Sequence, residues 1–151
     1  MATFFRIVQA RLAATATAGE GARLFGGRWN PPGMAAVYLA ESRALAALEI
    51  LVHAPREAIV LDWRLIEVEI PEAWIETMES ADLPADWRAR PSSPGAQHLG
   101  GRWLMLRTHL ALKLPSVIIP EESILLINPL HPHAARIKVS PAREFHFDPR
   151  L

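Results

Sequence analysis

The chain has 151 residues, half of them hydrophobic, which fits one domain spanning residues 1–151 around one substantial core. Its 16 basic and 16 acidic side chains cancel, so net charge favours neither nucleic acid nor an anionic membrane as a partner. The absence of cysteine excludes disulfides, thiolate zinc sites and cysteine nucleophiles. No apolar run approaches the roughly 20 residues of a membrane helix. We therefore expect a cytoplasmic protein whose partners are small molecules or other proteins.

Short strands and one apolar helix are predicted in the amino-terminal half. The predicted elements are a strand at Phe4–Val8, a loop of small residues at 14–27, a strand at Ala36–Ala40 and a helix from Ser42 to about Ala54. Ser42 is a good N-cap, the helix consists of strong helix formers, and Pro55 ends it.

The carboxy-terminal half adds strands and a second helix. The predicted elements are a strand within Ile59–Ile70, a short helix opened by Pro71, a connection at Leu83–Ala96, a helix at Gln97–Leu112, buried strands at Ser116–Ile119 and Ile124–Ile127, and a last strand in the tail REFHFDPRL. The connection is rich in proline, and long loops beside sites often act as lids. Because no regular βαβ repeat appears, we predict a single α+β domain with a mixed, mainly antiparallel or split sheet.

Three polar residues stand out in the mostly apolar segment 26–53: Arg28, Tyr38 and Glu49. Arg28 lies between glycines and prolines, where its planar guanidinium either binds a phosphate or carboxylate or ties the loop to the fold. Tyr38 either stacks on a flat ligand or packs in the core. The segment matches neither a phosphate-binding P-loop nor a dinucleotide GxGxxG turn.

Glu49 shares one stripe of the predicted helix with Ser42 and His53. This stripe is either a narrow solvated face or a face turned towards a cleft. His53 either orients the carboxylate or accepts a hydrogen bond from the ligand, or it is a histidine favoured by the helix carboxyl terminus.

Further polar groups lie at the predicted strand ends. Ser116 begins one apolar strand, and Asn128 and His131 follow another, positions from which side chains can contact a ligand or only cap a turn. His131 and His133 lack a third nearby ligand, so they do not predict a metal site. No GxSxG motif supports a serine hydrolase.

The segments GGRWNPPGMAAVYLAES, ALAALEILVH, LPSVIIP, LLINPLHP and FHFDPRL together resemble the RES-domain family, over essentially the whole chain. The resemblance implies an ADP-ribosyltransferase-like fold and a toxin that is paired with an Xre-like helix-turn-helix antitoxin. It places the family's arginine, glutamate and serine at Arg28, Glu49 and Ser116, with Tyr38 as a further pocket residue. The segment Gly100–Trp103 departs from the family pattern because it lacks an acidic residue.

The implied substrate is NAD, cleaved between nicotinamide and ribose, with no further cofactor and no metal. Glu49 would stabilise the cationic sugar of the transition state. Arg28, helped by Ser116 and Asn30, would clamp the pyrophosphate, and Tyr38 would stack on the nicotinamide or its ribose. Asn128 and His131 would form the wall opposite Arg28, with a structural turn as the other interpretation.

The acceptor is left open by the sequence: inorganic phosphate, water or a protein side chain. The alternatives to an NAD phosphorylase or glycohydrolase are a mono-ADP-ribosyltransferase and a non-catalytic protein-binding module. An RNA-directed toxin is disfavoured by the zero net charge. Homodimerisation is expected from the resemblance and from the high apolar content.

Overall fold

Eight strands form one connected sheet in the computed structural model, which describes residues 1–151. They are β1 Ala2–Gln9, β2 Val37–Ala40, β3 Trp63–Ile70, β4 Ile75–Thr77, β5 Ala111–Pro115, β6 Ser123–Ile127, β7 Lys138–Val139 and β8 Arg143–Phe145. The order is β4-β5-β6-β2-β1-β3-β7, and β8 also pairs with β3. Only β4 and β5 run parallel; all other pairs are antiparallel. The predicted mixed, mainly antiparallel α+β sheet is therefore confirmed.

The three α-helices are α1 Glu20–Phe25, α2 Arg43–His53 and α3 Pro94–Leu106, and short 3₁₀ turns lie at Ala10–Thr15, Arg56–Val60, Glu72–Trp74, Ser80–Asp82 and Pro132–Arg136. The hydroxyl of Ser42 caps α2 by accepting from the Leu45 amide at 3.0 Å. Ser93 caps α3 in the same way, accepting from the Ala96 amide at 3.1 Å. Both helices thus begin at a side-chain cap.

The hydrophobic core lies on both faces of the sheet. Because successive strand residues point to opposite faces, Phe5 and Ile7 of β1 enter one cluster while Phe4 and Val8 enter the other. The first cluster contains the buried residues of α2 and α3, so these helices cover that face. This helix-covered face also carries the candidate site.

Several predicted elements are wrong. Ser116–Ile119 is a turn and not a strand, and the strand before it, β5, falls partly in the predicted helix Gln97–Leu112. The helix ends at Leu106 because Arg107 has a left-handed backbone with φ of 53°. An apolar run such as ALKL does not distinguish a buried strand from a helix. The helix α1, inside the predicted loop 14–27, was missed.

Other predicted elements agree with the structure to within a few residues. They are β1, β2, α2, β3, the 3₁₀ turn after Pro71, and β6. The tail forms a strand only at Arg143–Phe145. The errors therefore lie at α1, at the boundary between α3 and β5, at the turn after β5 and in the tail.

Candidate active site

The loop that carries Arg28 is held in place by Asn30. The side-chain amide of fully buried Asn30 donates to the carbonyls of Ala22, Pro31 and Met34, at 2.9, 3.2 and 3.0 Å. Gly26 permits the turn into the loop through its positive φ of 73°. The hydrogen bonds of Asn30 thus hold the loop in place without a ligand.

Arg28 extends from this loop to the connecting segment, which we define as residues 83–93. Its Nη1 donates to the carbonyl of Trp87 at 3.0 Å and to the carbonyl of Ala89 at 2.7 Å. The rings of Trp29 and Trp87 stack beside this contact, with centroids 6.5 Å apart. The loop and the connecting segment therefore form one wall.

Tyr38 supports the Arg28 loop from β2. Its hydroxyl donates to Oδ1 of Asn30 at 2.6 Å and accepts from the amide of Trp29 at 3.0 Å. Its side chain also packs against the helix-covered core. Burial raises the pKa of the phenol, so Tyr38 is neutral at physiological pH.

Glu49 faces the same region from α2, with 33% of its side chain exposed. Burial raises the pKa of this carboxyl, against the opposing effects of His53, Ser116 and Arg28. His53 is 77% exposed, and its Nε2 lies 4.0 Å from Oε2 of Glu49. Burial and a neighbouring arginine, Arg90, lower the pKa of Arg28, whereas Glu49 and Tyr38 raise it. The site thus pairs a partly desolvated carboxylate with a guanidinium.

Ser116 is fully buried at the end of β5. Its oxygen accepts from the amides of Ile118 and Ile119 at 3.1 and 3.2 Å, which defines the turn after the strand. The Ser116 hydroxyl also lowers the pKa of Glu49, which opposes the effect of burial on that carboxyl. Ser116 thus acts as a turn hydroxyl and as a neighbour of the carboxylate.

The structure does not bring Asn128 and His131 into this cluster. The amide of Asn128 bonds to the Leu110 carbonyl, whereas Ser116 bonds to Glu122, so the two residues lie at opposite ends of the β5–β6 pair. A separation of six strand residues is about 20 Å. The side chain of Asn128 joins β6 to α3 through the Leu104 carbonyl at 2.8 Å.

His131 belongs to the turn that follows Asn128. Its Nδ1 accepts from the amide of His133 at 3.0 Å. Burial lowers the pKa of its imidazole, and the neighbouring histidines His133 and His109 add to that effect. No three side chains of the metal-ligating types cluster anywhere in the chain. These residues form the structural turn that was the second interpretation of the sequence.

Sequence reasoning missed the connecting segment as a direct partner of Arg28, although it marked the region as a lid. It also missed Gln97, whose side-chain amide donates to the Gly27 carbonyl at 3.0 Å. Backbone carbonyls carry no residue-type signal, so Trp87 and Ala89 could be found only from coordinates. The proline content of the segment was the available signal.

The segment Gly100–Trp103 packs α3 onto the Arg28 loop. A Cβ on Gly100 would lie 1.7 Å from the carbonyl oxygen of Trp29, so the two backbones meet directly. Gly101 faces Pro31, which a Cβ would approach to 3.1 Å. The glycines of this segment therefore permit close contact between helix and loop.

Chemically, the candidate site offers a guanidinium for an anion and a partly buried carboxylate for a developing positive charge. Both act more strongly where water is excluded.

No helix of the protein has the length and apolarity needed to cross a membrane.

The curled, mixed sheet with its covering helices defines an ADP-ribosyltransferase-like fold. The toxin–antitoxin complex MbcT–MbcA of M. tuberculosis contains a chain with this fold, with a TM-score of 0.78, 21% identity, and coverage of 96% of this chain and 84% of that chain. Residues 3–148 match the RES domain, and the protein belongs to the RES-domain family.

Relatives at higher identity are named as toxins. The Prs ADP-ribosylating toxin of Sphingobium sp. is 43% identical over 136 residues, covering 88% of this chain and 84% of that protein. The protein named Toxin Res from Yersinia enterocolitica is 39% identical over 149 residues and covers 97% of both chains.

Proposed function

We propose that this protein is the toxin of a toxin–antitoxin pair and that it degrades NAD by cleaving the bond between nicotinamide and ribose. The observation that carries the proposal is the convergence of Arg28, Glu49 and Ser116 on the helix-covered face. Family membership and the toxin names of its relatives support it.

Glu49 stabilises the positive charge that develops on the ribose as nicotinamide departs. A carboxylate that is partly withdrawn from water interacts more strongly with this charge than a fully solvated one does. His53, Ser116 and Arg28 oppose the effect of burial, which nevertheless raises the pKa of Glu49. The carboxylate therefore contributes mainly to the transition state.

Arg28 holds the pyrophosphate of the substrate. A guanidinium has five N–H donors, and both carbonyl contacts use Nη1. The donors of Nη2 and Nε remain for two phosphate oxygens, in the bidentate geometry that arginine favours. The connecting segment thus fixes the guanidinium and leaves its binding edge free.

The acceptor is inorganic phosphate or water, which makes the enzyme an NAD phosphorylase or glycohydrolase. A second candidate is transfer of ADP-ribose to a protein side chain, favoured by the 43% identity to a protein named Prs ADP-ribosylating toxin. The carboxylate of Glu49 is one-third exposed, so any of the three acceptors can reach it.

The proposed partner is an Xre-like helix-turn-helix antitoxin, in line with a toxin–antitoxin complex as the structural relative. We further propose that the protein forms a homodimer and acts in the cytoplasm, where NAD is found. Direct nucleic-acid binding is not part of the proposal, because the net charge is zero.

The test is product analysis after incubation of the purified protein with NAD, with and without inorganic phosphate. Nicotinamide release is expected, and the second product distinguishes ADP-ribose from its phosphorylated form. Glu49→Gln removes the charge with little change in shape and should lower the rate by about a hundredfold or more.

Glu57→Gln is the matched control, because Glu57 is exposed and forms no salt bridge. Its rate should equal that of the wild type. Equal nicotinamide release by wild type and Glu49→Gln would contradict the proposed role of Glu49. No nicotinamide release, with or without candidate protein acceptors, would refute the proposed activity.

A further inference from the structure

Arg90 is an exposed cation placed next to Arg28 by the connecting segment. Arg28 Nη1 bonds to the carbonyl of Ala89 at 2.7 Å, and Arg90 is the next residue. Its charge lowers the pKa of Arg28, as expected of two neighbouring guanidinium groups. The side chain of Arg90 forms no hydrogen bond and no salt bridge.

The neighbouring arginine of the segment is engaged differently. Arg88 donates to the Val117 carbonyl at 3.2 Å, and its guanidinium lies 5.8 Å from the centroid of the Trp87 ring. Arg88 thus fastens the segment to the turn that follows Ser116. Of the two arginines, only Arg90 has no hydrogen-bond partner within the protein.

The connecting segment thus places the like charge of Arg90 one residue from the Ala89 carbonyl that Arg28 contacts, and like charges repel each other. An anion that carries more than one negative charge removes this repulsion and can accept from both groups. Phosphoryl groups have this charge and the oxygen geometry that arginine forks match. Glu49 does not fill the role, because it forms no salt bridge with either arginine.

We propose that Arg90 is a second phosphoryl-binding residue that acts together with Arg28. The inference rests on the proposed function for the identity of its ligand. The phosphoryl group comes either from the pyrophosphate of NAD or from free inorganic phosphate that serves as the acceptor. In both cases the connecting segment supplies a ligand-binding side chain in addition to acting as the lid that the sequence predicts.

The test measures binding and turnover separately. Titration calorimetry with ADP-ribose and, independently, with inorganic phosphate is compared for wild type, Arg90→Ala, Arg90→Lys and Lys138→Ala. Lys138 is the control because it is an exposed cation without a salt bridge on the edge strand β7. The KM values for NAD and for phosphate are measured on the same proteins.

Arg90→Ala should weaken binding of one of the two probes by about tenfold and raise the corresponding KM by a similar factor, with kcat less affected. Loss confined to ADP-ribose indicates the pyrophosphate, and loss confined to inorganic phosphate indicates the acceptor. Arg90→Lys should restore part of the affinity, and Lys138→Ala should bind as the wild type does.

Unchanged affinity of Arg90→Ala for both probes would overturn the inference, even if the wild type consumes NAD. Equal losses in Arg90→Ala and Lys138→Ala would also overturn it, because a general charge effect would then explain them. Weakened probe binding in a protein that does not consume NAD would instead count against the proposed activity alone.

Discussion

At the scale of single residues, Glu49 is a carboxyl group whose surroundings disfavour its charged form. Burial works against the ionised form of this carboxyl and raises its pKa above the ordinary value of 4.5. The neutral acid is therefore favoured in the folded state relative to the unfolded state. The contribution of Glu49 to stability is largest at low pH and is lost as pH rises through the folded-state pKa.

Glu49→Gln should consequently be more stable than the wild type at neutral pH, while the two proteins should converge in stability below the unfolded-state pKa. Thermal unfolding of both proteins between pH 4 and pH 7 measures this difference. A wild type that gains stability relative to Glu49→Gln as pH rises would contradict the assigned direction of the pKa shift.

The same shift predicts the acidic limb of the activity profile. Activity that needs ionised Glu49 should rise with pH through a pKa above 4.5, the ordinary glutamate value. The profile of kcat/KM for NAD against pH measures it. An acidic limb at or below the ordinary value would show that another group controls the rate.

Tyr38 has two separable roles, one for its ring and one for its hydroxyl. Tyr38→Phe keeps the ring but leaves the Trp29 amide and Oδ1 of Asn30 without a partner. We expect a loss of about 1–3 kcal/mol in the free energy of unfolding. If the ring stacks on the ligand, the variant should keep its KM for NAD and Tyr38→Ala should not.

At the scale of elements, the contact between α3 and the Arg28 loop sets the shape of the site. Gly100 allows the helix backbone to meet the Trp29 carbonyl, and the amide of Gln97 holds Gly27 from the same helix. The connecting segment then closes over Arg28 from the amino-terminal side of α3. Displacing α3 would therefore move Arg28 and the connecting segment together.

Gly100→Ala tests this contact, because its Cβ would overlap the Trp29 carbonyl oxygen. The clash is with backbone on both sides, so we expect a loss of about 3 kcal/mol or more and strongly reduced activity. Gly21→Ala is the control, since Gly21 lies in α1 with open space around its Cβ position. Equal melting temperatures for Gly100→Ala and the wild type would disprove the contact.

At the scale of the whole molecule, one connected sheet carries both core clusters and links the two ends of the chain. The central strands β6, β2 and β1 contribute buried residues to both faces. A single cooperative unfolding transition is the expected consequence.

Leu126→Ala should lower the stability of the entire molecule. Leu126 is fully buried at the centre of β6, so its truncation should cost about 2–5 kcal/mol and shift one transition without splitting it. Leu130→Ala, at an exposed position, should have little effect. Differential scanning calorimetry distinguishes one shifted transition from two separate ones.

Local sequence signals were sufficient to predict an element where its structure depends mainly on residues close by in the chain. The N-cap Ser42, the stop at Pro55 and the alternation within β3 predicted α2 and β3 to within a few residues. The same signals failed at β5, because an apolar run of strand length is compatible with either a strand or a helix. They also failed for α1, a six-residue helix among small residues.

By itself, the sequence determined the fold class and the membership in the RES-domain family, and it singled out Arg28, Tyr38, Glu49 and Ser116 as candidate site residues, because residue type and order can be read directly from the chain. Only the tertiary structure decided which groups lie next to these residues in space. It separated Asn128 and His131 from the cluster through strand register, and it brought the carbonyls of Trp87 and Ala89, together with Arg90, to Arg28. Strand register, and the contact of the distant connecting segment with Arg28, depend on residues far apart in the chain. No residue spacing in the sequence therefore encodes them directly.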